Sequence, residues 1–219
     1  MPDIQIDIFA DIACPWCYIG ERRLERALAL RPGLNVERRW RPFQLQPNLP
    51  RSGMPWHEFV QRKFGGLQRA QAMFNHVAAV GAAEGLTFAF DRMVSAPNTC
   101  DAQRLILFAE HQGCEWKAVD ALFAAYFAQG RDLSRLDELV AIAAEIGLDA
   151  GQTRSYLMSD AGIAEVVESQ EQAYVLGIQG VPFYIFDGRY AISGAQPVNV
   201  FLRALDSVYP SGEVAARAQ

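Results

Sequence analysis

The sequence is poor in metal ligands. Among its 219 residues there are only three histidines and four cysteines. A structural zinc site needs four ligands at recognisable spacings. His57, His76 and His111 form no close pair, and Cys100 and Cys114 are not a second C-x-x-C, so no metal is expected. Positive charge is also scarce. Lysine and arginine number 20 against 25 acidic residues, a net charge of −5, which excludes the basic footprint of a nucleic-acid binder. No uncharged run is long and apolar enough to span a bilayer. Met1-Pro2-Asp3 leads straight into Ile4-Gln5-Ile6, without the basic start, apolar stretch and cleavage site of a secretory signal. The expectation is a soluble cytoplasmic protein with neither nucleic acid nor membrane as partner. Apolar residues are plentiful at 51%, ample for a packed core.

Against this background Cys14-Pro15-Trp16-Cys17 stands out. It follows an apolar stretch, Ile4 to Ala10, and opens a helix-like run, Tyr18 to Leu30. A C-x-x-C between a strand and a helix is the form of a thioredoxin-like redox motif. Two intervening residues, wound as a first helical turn, bring the sulfurs within disulfide range. The first sulfur then stands at the helix N-terminus, where unpaired N–H groups and the macrodipole favour a thiolate. Pro15 suits the first helical position, since its missing N–H would go unused. A permanent structural disulfide competes with this reading but does not suit a reducing compartment. Cys14, at the exposed helix start, is expected to be the nucleophile, and Cys17, a turn inward, the resolving thiol.

Along the chain, Ile4, Ile6 and Ile8 alternate with Gln5 and Asp7, a strand whose polar positions suggest an edge or an end. The helix from Pro15 has Leu24, Ala27 and Leu28 inward, Glu21, Arg22, Glu25 and Arg26 elsewhere, and stops at Pro32-Gly33. Asn35 to Trp40 reads as a second strand, and its Arg38, Arg39 and Arg41 as a solvated face. A proline-rich loop fills 42–55. From Trp56 to Gly177 the pattern is helical without a convincing strand, with Phe59, Phe64, Met73 and Val77 as core candidates. Asn98 or Thr99 caps one helix, and Ser134-x-x-Asp137 resembles a capping box for another. Val181 to Phe186 is β-rich, Asp187-Gly188 a hairpin turn, and Pro197 to Tyr209 a closing helix. The tail, 211–219, reads as frayed. The order predicts an α/β chain: a thioredoxin-like domain from 1–55 and 178–210, βαβ then ββα, interrupted by an all-helical subdomain, 56–177.

The chain resembles the DsbA-like thioredoxin superfamily, specifically its cytoplasmic FrnE-type branch. The resemblance rests on Asp11-x-x-Cys14-Pro15-Trp16-Cys17-Tyr18-Ile19-Gly20, on Trp40-Arg41-Pro42-Phe43 and Asn98-Thr99, and on Gly180-Val181-Pro182-Phe183, Asp187-Gly188 and Ser193-Gly194-Ala195-Gln196. It implies a thiol–disulfide oxidoreductase acting on a disulfide- or thiol-bearing protein or small molecule. It further implies a cis Val181–Pro182 bond facing the cysteines, with the Val181 backbone free to pair with an extended substrate. Pro15, Trp16, Phe43 and Phe183 would supply an apolar groove, with Trp16 exposed, and Asn98 matches a polar substrate-site position. One departure is Ile8, where relatives carry a buried acid that moves the resolving thiol's proton. Asp11 is the nearest carboxylate, either a substitute relay or a turn residue.

Related architectures include glutathione-dependent isomerases and kappa-class glutathione transferases. These generally have serine at the position of Cys14 and a Ser-Asp pair where this chain has Ala195-Gln196, so a glutathione enzyme is the alternative reading. A redox-switched binding protein or chaperone is a second alternative. No tightly bound cofactor is implied. The resemblance leaves open glutathione as co-substrate and a homodimer. Cys100 and Cys114 read as small packed hydrophobes.

Overall fold

The computed structural model describes residues 2–209, so the tail at 211–219 lies outside the described residues. The chain begins with β1 (Ile4–Ala10), α1 (Pro15–Ala29) and β2 (Val36–Pro42). A short β3 (Met54–Pro55) precedes α2 (Trp56–Phe64) and α3 (Leu67–Ala83). Then come β4 (Ser95–Ala96), α4 (Cys100–His111), α5 (Glu115–Phe123) and a π-helical turn over Ala124–Ala128. Three helices follow: α6 (Leu136–Glu145), α7 (Ala150–Met158) and α8 (Ile163–Val175). The chain closes with β5 (Phe183–Phe186), β6 (Tyr190–Ser193) and α9 (Val198–Val208).

The four long strands form one sheet in the order β2-β1-β5-β6. β1 runs parallel to β2 and antiparallel to β5. Parallel pairing needs a crossover, and α1 supplies it. Asp187 and Gly188, at φ 49° and 64°, make the two-residue turn between β5 and β6. This is the thioredoxin-like fold with helices inserted between its two halves. β3, at the end of the stretch expected as loop, pairs over two residues with β4, a strand inside the region expected to be purely helical.

β1 is therefore central, not an edge. Its Ile4, Ile6 and Ile8 are buried in the main apolar cluster with Leu24 of α1 and Phe201 and Leu205 of α9. Gln5 and Asp7 point to the other face, where partners rather than position explain their polarity. The Gln5 N–H donates to Asp187, and Asp7 accepts from Arg41 at 2.7 Å. The arginines of β2 are likewise paired, Arg38 largely buried while Arg39 and Arg41 keep part of their side chains in solvent. Arg38 reaches Glu21, Arg39 reaches Glu37 at 2.8 Å, and Arg41 reaches Asp7. Glu21, expected on the outside of α1, is only 3% exposed. The Ser134 capping box does not form. The Ser134 hydroxyl and N–H both go to Asp132, α6 starts two residues later, and Asp137 pairs with Arg154.

Helices α4 to α7 share one apolar cluster with the sheet, while Val60, Ala70 and Phe74 of α2 and α3 form a cluster of their own. Trp40 of β2 packs edge-on against Trp116 and Phe123 of α5. The Trp40 indole N–H donates to the fully buried Gln103 of α4 at 2.6 Å. The Gln103 amide in turn donates to the carbonyls of Ala10 and Phe43. These carbonyls lie where β1 and β2 end, so a buried, satisfied amide ties α4 to the strand ends that carry the Cys14 segment.

Gly20 marks where α1 meets β5 most closely. A Cβ there would collide with the Tyr184 hydroxyl oxygen and lie 3.1 Å from the Pro182 ring. Gly20→Ala is expected to destabilise the fold by about 1–3 kcal/mol, as overpacking does. Tyr184→Phe removes the nearest clashing atom and should recover part of that loss. Denaturant midpoints of the two single variants and the double variant check this. A wild-type midpoint for Gly20→Ala alone would contradict the packing.

Two carboxyls raised by burial, the buried Glu21 and the half-buried Glu115, contribute to the pH dependence of stability. Burial pushes Glu21 up to about 7 despite Arg38. Burial also pushes Glu115 up to about 7, although it accepts the Trp40 backbone N–H. A carboxyl raised in the folded state takes up protons on folding between its unfolded and folded pKa. Its stabilisation is present below about 4.5 and lost as pH rises through about 7. Stability should therefore fall between pH 5 and pH 8 by an amount on the order of a few kcal/mol, since Glu115 is partly solvated, and the thermal midpoint should fall with it. Glu115→Gln should flatten the profile. A midpoint that rises across this window would contradict the assignment.

Candidate active site

The site is built where β1 gives way to α1. Asp11 is 1% exposed. Its two oxygens accept the N–H of Ala13 at 3.2 Å and of Leu45 at 2.7 Å, tying the turn before Cys14 to the loop after β2. Burial pushes the Asp11 carboxyl up, against those backbone N–H groups. The Cys14 N–H donates to the Asp11 carbonyl at 3.0 Å, closing that turn. Cys14 is the N-cap residue of α1, and Pro15 fills its first position. The Cys17 N–H donates back to the Cys14 carbonyl at 3.0 Å. The two cysteines thus bracket one helical turn, and both are free thiols.

Cys14 is 4% exposed, so it does not stand on the open surface as expected. It is reached through a cavity of about 190 Å³ whose wall includes Cys14, Pro15 and Trp16. Across from them the wall is aromatic, with Trp56, Phe59, Phe64 and Phe74 from α2 and α3, and Phe127 beyond. Among the described residues Lys63 is the one charged group in its lining, with the ammonium 5.3 Å from the centre of the Phe59 ring. Phe59, Phe64 and Met73, expected as core, form this wall instead, and Met73 is 39% exposed. Trp16 is half-buried rather than exposed, its ring 6.0 Å from that of His76.

The Val181–Pro182 peptide is cis. It brings the Val181 carbonyl to 3.5 Å from the Cys14 sulfur, which donates to it. Pro182 is buried against Gly20 of α1. Burial, reinforced by the neighbouring Cys14 sulfur, pushes the Cys17 thiol well up, while the Asp11 backbone amide acts in the opposite sense. Cys17 is therefore a protonated thiol beneath the cavity floor.

Cys14, Pro15, Trp16, Val181, Pro182 and Asp11 are thus brought together. Phe43 and Asn98 are not. Phe43 is 4% exposed in a second apolar cluster with Phe9, Ala173 and Ile178, because its N–H extends the β2 ladder to Ala10 and its side chain turns toward α8. Phe183 packs at the edge of the same cluster. The Asn98 amide is spent on structure. Its oxygen accepts from Gln44 and from the Cys100 N–H, and its nitrogen donates to the carbonyls of Pro47 and Leu49. Missed at the sequence level were the aromatic wall and Tyr184, which lies against α1 behind Cys17. The dense aromatic spacing from Trp56 to Phe90 was the available signal, and it also fits an ordinary core.

The DSBA-like thioredoxin domain family matches residues 5–206. The probable DsbA oxidoreductase SCO1869 of Streptomyces coelicolor is 36% identical, with a TM-score of 0.86 over 95% of this chain and 91% of that one. The cytosolic disulfide reductase DsbM of Pseudomonas aeruginosa, solved with GSH, is 18% identical and shares the fold, with a TM-score of 0.67 over 97% of this chain and 99% of that one. The Bacillus subtilis protein YwbO is 25% identical over 203 residues, 92% of this chain and 96% of its own. With a family match spanning nearly its whole length and a C-x-x-C pair at the start of α1, the chain belongs to the DSBA-like thioredoxin domain family, and in kind it is a thiol–disulfide oxidoreductase.

Proposed function

We propose that the protein is a FrnE-type dithiol oxidoreductase of the cytoplasm, working through Cys14 and Cys17. The observation that carries this is the pairing of a Cys14 sulfur at a helix N-terminus and cavity wall with a protonated Cys17 thiol one turn inward. In the reducing direction the Cys14 thiolate attacks a substrate disulfide and forms a mixed disulfide, expelling one substrate thiolate. Cys17 loses its proton and attacks the Cys14 sulfur, releasing the second substrate thiolate and leaving a Cys14–Cys17 disulfide. The opposite direction runs the same steps backward. Val181 offers its backbone to the substrate beside Cys14, and Pro15 and Trp16 bear on the substrate's apolar part. Pro182 holds the Val181 segment against α1, and Asp11 holds the turn that aims Cys14.

The substrate class is a protein or small molecule bearing a disulfide or thiol. Glutathione enters as a co-substrate that recycles the site, with no tightly bound cofactor. No helix among the described residues is long and apolar enough to cross a membrane.

Reduction of insulin disulfides, with and without glutathione, tests the proposal. Catalysed reduction that consumes the Cys17 thiol is expected. Glutathione binding without any mixed-disulfide turnover would replace the proposal with a glutathione-dependent isomerase or transferase. Client binding that changes on oxidation, without turnover, would replace it with a redox-switched binding protein.

A further inference from the structure

The cavity over Cys14 is small and walled by rings. Cys14 is 4% exposed, so a substrate sulfur enters this chamber to reach it. At about 190 Å³ the chamber is little larger than the roughly 150 Å³ apolar cavity that holds one benzene. One substituted ring beside the sulfur fills it, whereas a protein disulfide brings more chain than the chamber holds. The far wall is already assembled. Trp56 stacks on Phe59 at 5.6 Å and on Phe74 at 5.8 Å between ring centres, and Phe74 stacks on Phe90 at 4.6 Å. A flat ring finds stacked or edge-on partners on such a wall, which an aliphatic chain does not.

Lys63 adds a second requirement. Among the described residues it makes no ion pair and no hydrogen bond. The one acid of α2, Glu58, faces Arg62 at 3.7 Å instead. The Lys63 ammonium lies over the rings of Phe59 and Phe64, 5.3 Å and 5.8 Å from their centres. Its field reaches the buried Asp11, whose oxygens are already held by backbone N–H groups. Lys63 also lines an outer groove of about 570 Å³, which shares Gln46, Leu49 and Phe59 with the chamber. The ammonium therefore stands where the chamber meets the groove. An anion is costly to bring against an apolar wall unless a cation pairs with it. The chamber thus favours a ring that carries one negative group and disfavours one that carries a positive group.

We propose that the preferred substrate is the disulfide of a small aromatic acid, with its ring in the chamber against Trp56 and Phe59 and its carboxylate on Lys63. This deepens the dithiol-exchange reading above and rests on it. The Cys14 thiolate attacks the sulfur that bears the ring in the chamber. That sulfur bonds to Cys14, the substrate disulfide bond breaks, and the other half leaves by the outer groove as a thiolate. Cys17, its proton lost to solvent, then attacks the Cys14 sulfur. The bond from Cys14 to the ring-bearing sulfur breaks and the aromatic thiolate departs. The substrate is reduced by two electrons and the cysteine pair is oxidised by two. Two glutathione thiols, from the recycling co-substrate proposed above, restore the dithiol and become glutathione disulfide.

The test is steady-state reduction by the full chain with glutathione as reductant. Four disulfides are compared: dithiobis(nitrobenzoate), an aromatic acid; dithiodipyridine, a neutral aromatic; dithiodipropionate, an aliphatic acid; and insulin. Each kcat/KM is divided by the rate constant of the same disulfide with glutathione alone, which removes differences in intrinsic reactivity. Dithiobis(nitrobenzoate) should exceed each of the others by roughly tenfold or more, about the value of one charge-assisted contact. In Lys63→Met its ratio to dithiodipyridine should fall roughly tenfold, and Lys63→Glu should lower that ratio further. Phe59→Leu should lower the ratio of dithiobis(nitrobenzoate) to dithiodipropionate. Each variant is read as a ratio between substrates, so an effect of Lys63 on Cys14 itself, or a partly folded preparation, cancels. An acid-to-neutral ratio unchanged in Lys63→Met, or a parent protein that reduces insulin best, overturns the aromatic-acid proposal and leaves the exchange reading standing. Reduction of none of the four by the parent protein overturns the exchange reading.

Discussion

Cys14→Ser is expected to abolish disulfide reduction, lowering turnover on the order of a thousandfold or more, as loss of a covalent nucleophile does. The reason lies in the chemistry of the bond. Each step of thiol–disulfide exchange forms one sulfur–sulfur bond and breaks another. A serine oxygen at the N-terminus of α1 can do neither. The neighbouring thiol cannot take over, because Cys17 is 2% exposed, is held protonated by burial, and forms no part of the cavity wall. Cys17→Ser should fail differently. Attack by Cys14 proceeds, the mixed disulfide is not resolved, and an adduct of protein and substrate accumulates. Mass spectrometry of the intact protein after one addition of a disulfide substrate distinguishes the two. An adduct on Cys17→Ser and none on Cys14→Ser is the expected pattern. Full activity in Cys14→Ser would sink the assignment of the nucleophile.

The C-x-x-C turn was legible because its logic is local. Strand, turn, proline at the first helical position and sulfur at the N-cap lie within eleven residues, Phe9 to Ile19, and no distant contact decides them. The hairpin at Asp187-Gly188 was legible for the same reason. What the sequence concealed depends on long-range partners. Gln5 and Asp7 mimic an edge strand because sequence patterning records polarity and not pairing, yet Asp187 and Arg41 satisfy them in mid-sheet. Glu21 looks like a surface helix residue until Arg38 comes over it from β2. Phe59, Phe64 and Met73 have the spacing of core positions, and a cavity wall has the same spacing as a core. Asn98 was placed at a substrate site on resemblance, whereas its four hydrogen bonds hold the loop from Gln44 to Leu49 against the start of α4.

Arg104 is the furthest such case and supports the second large prediction. It follows Gln103 and precedes Leu105 in α4, and a charged side chain in a fully buried position is rare unless it is paired. Arg104 is fully buried, and each of its five N–H groups has an acceptor. Nε donates to the Ala161 carbonyl at 2.6 Å. One terminal nitrogen donates to Asp101 at 2.6 Å and to the Leu157 carbonyl at 3.1 Å, and the other to the carbonyls of Tyr156 at 2.8 Å and Ser159 at 2.6 Å. These carbonyls close α7 and the turn into α8, where a helix leaves its last acceptors unpaired. The guanidinium therefore caps α7 from α4, and so fastens the outer helices to the one that Gln103 ties to the cysteine segment. Arg104→Met keeps much of the stem's volume but removes all five hydrogen bonds, leaving the buried Leu157 carbonyl and the partly buried carbonyls of the turn after α7 without the guanidinium that gathers them. The expected loss is about 3–5 kcal/mol, the range for breaking a buried ionic cluster by removing one partner. Arg104→Lys should fail almost as badly, since three donors on a point charge cannot serve a five-donor fork. In a chain of this size, each kcal/mol lowers the melting temperature by roughly 2–4 °C. Thermal melts of Arg104→Met, Arg104→Lys and an exposed control such as Arg62→Met provide the check, and a wild-type midpoint for Arg104→Met would show that α7 closes without help from α4.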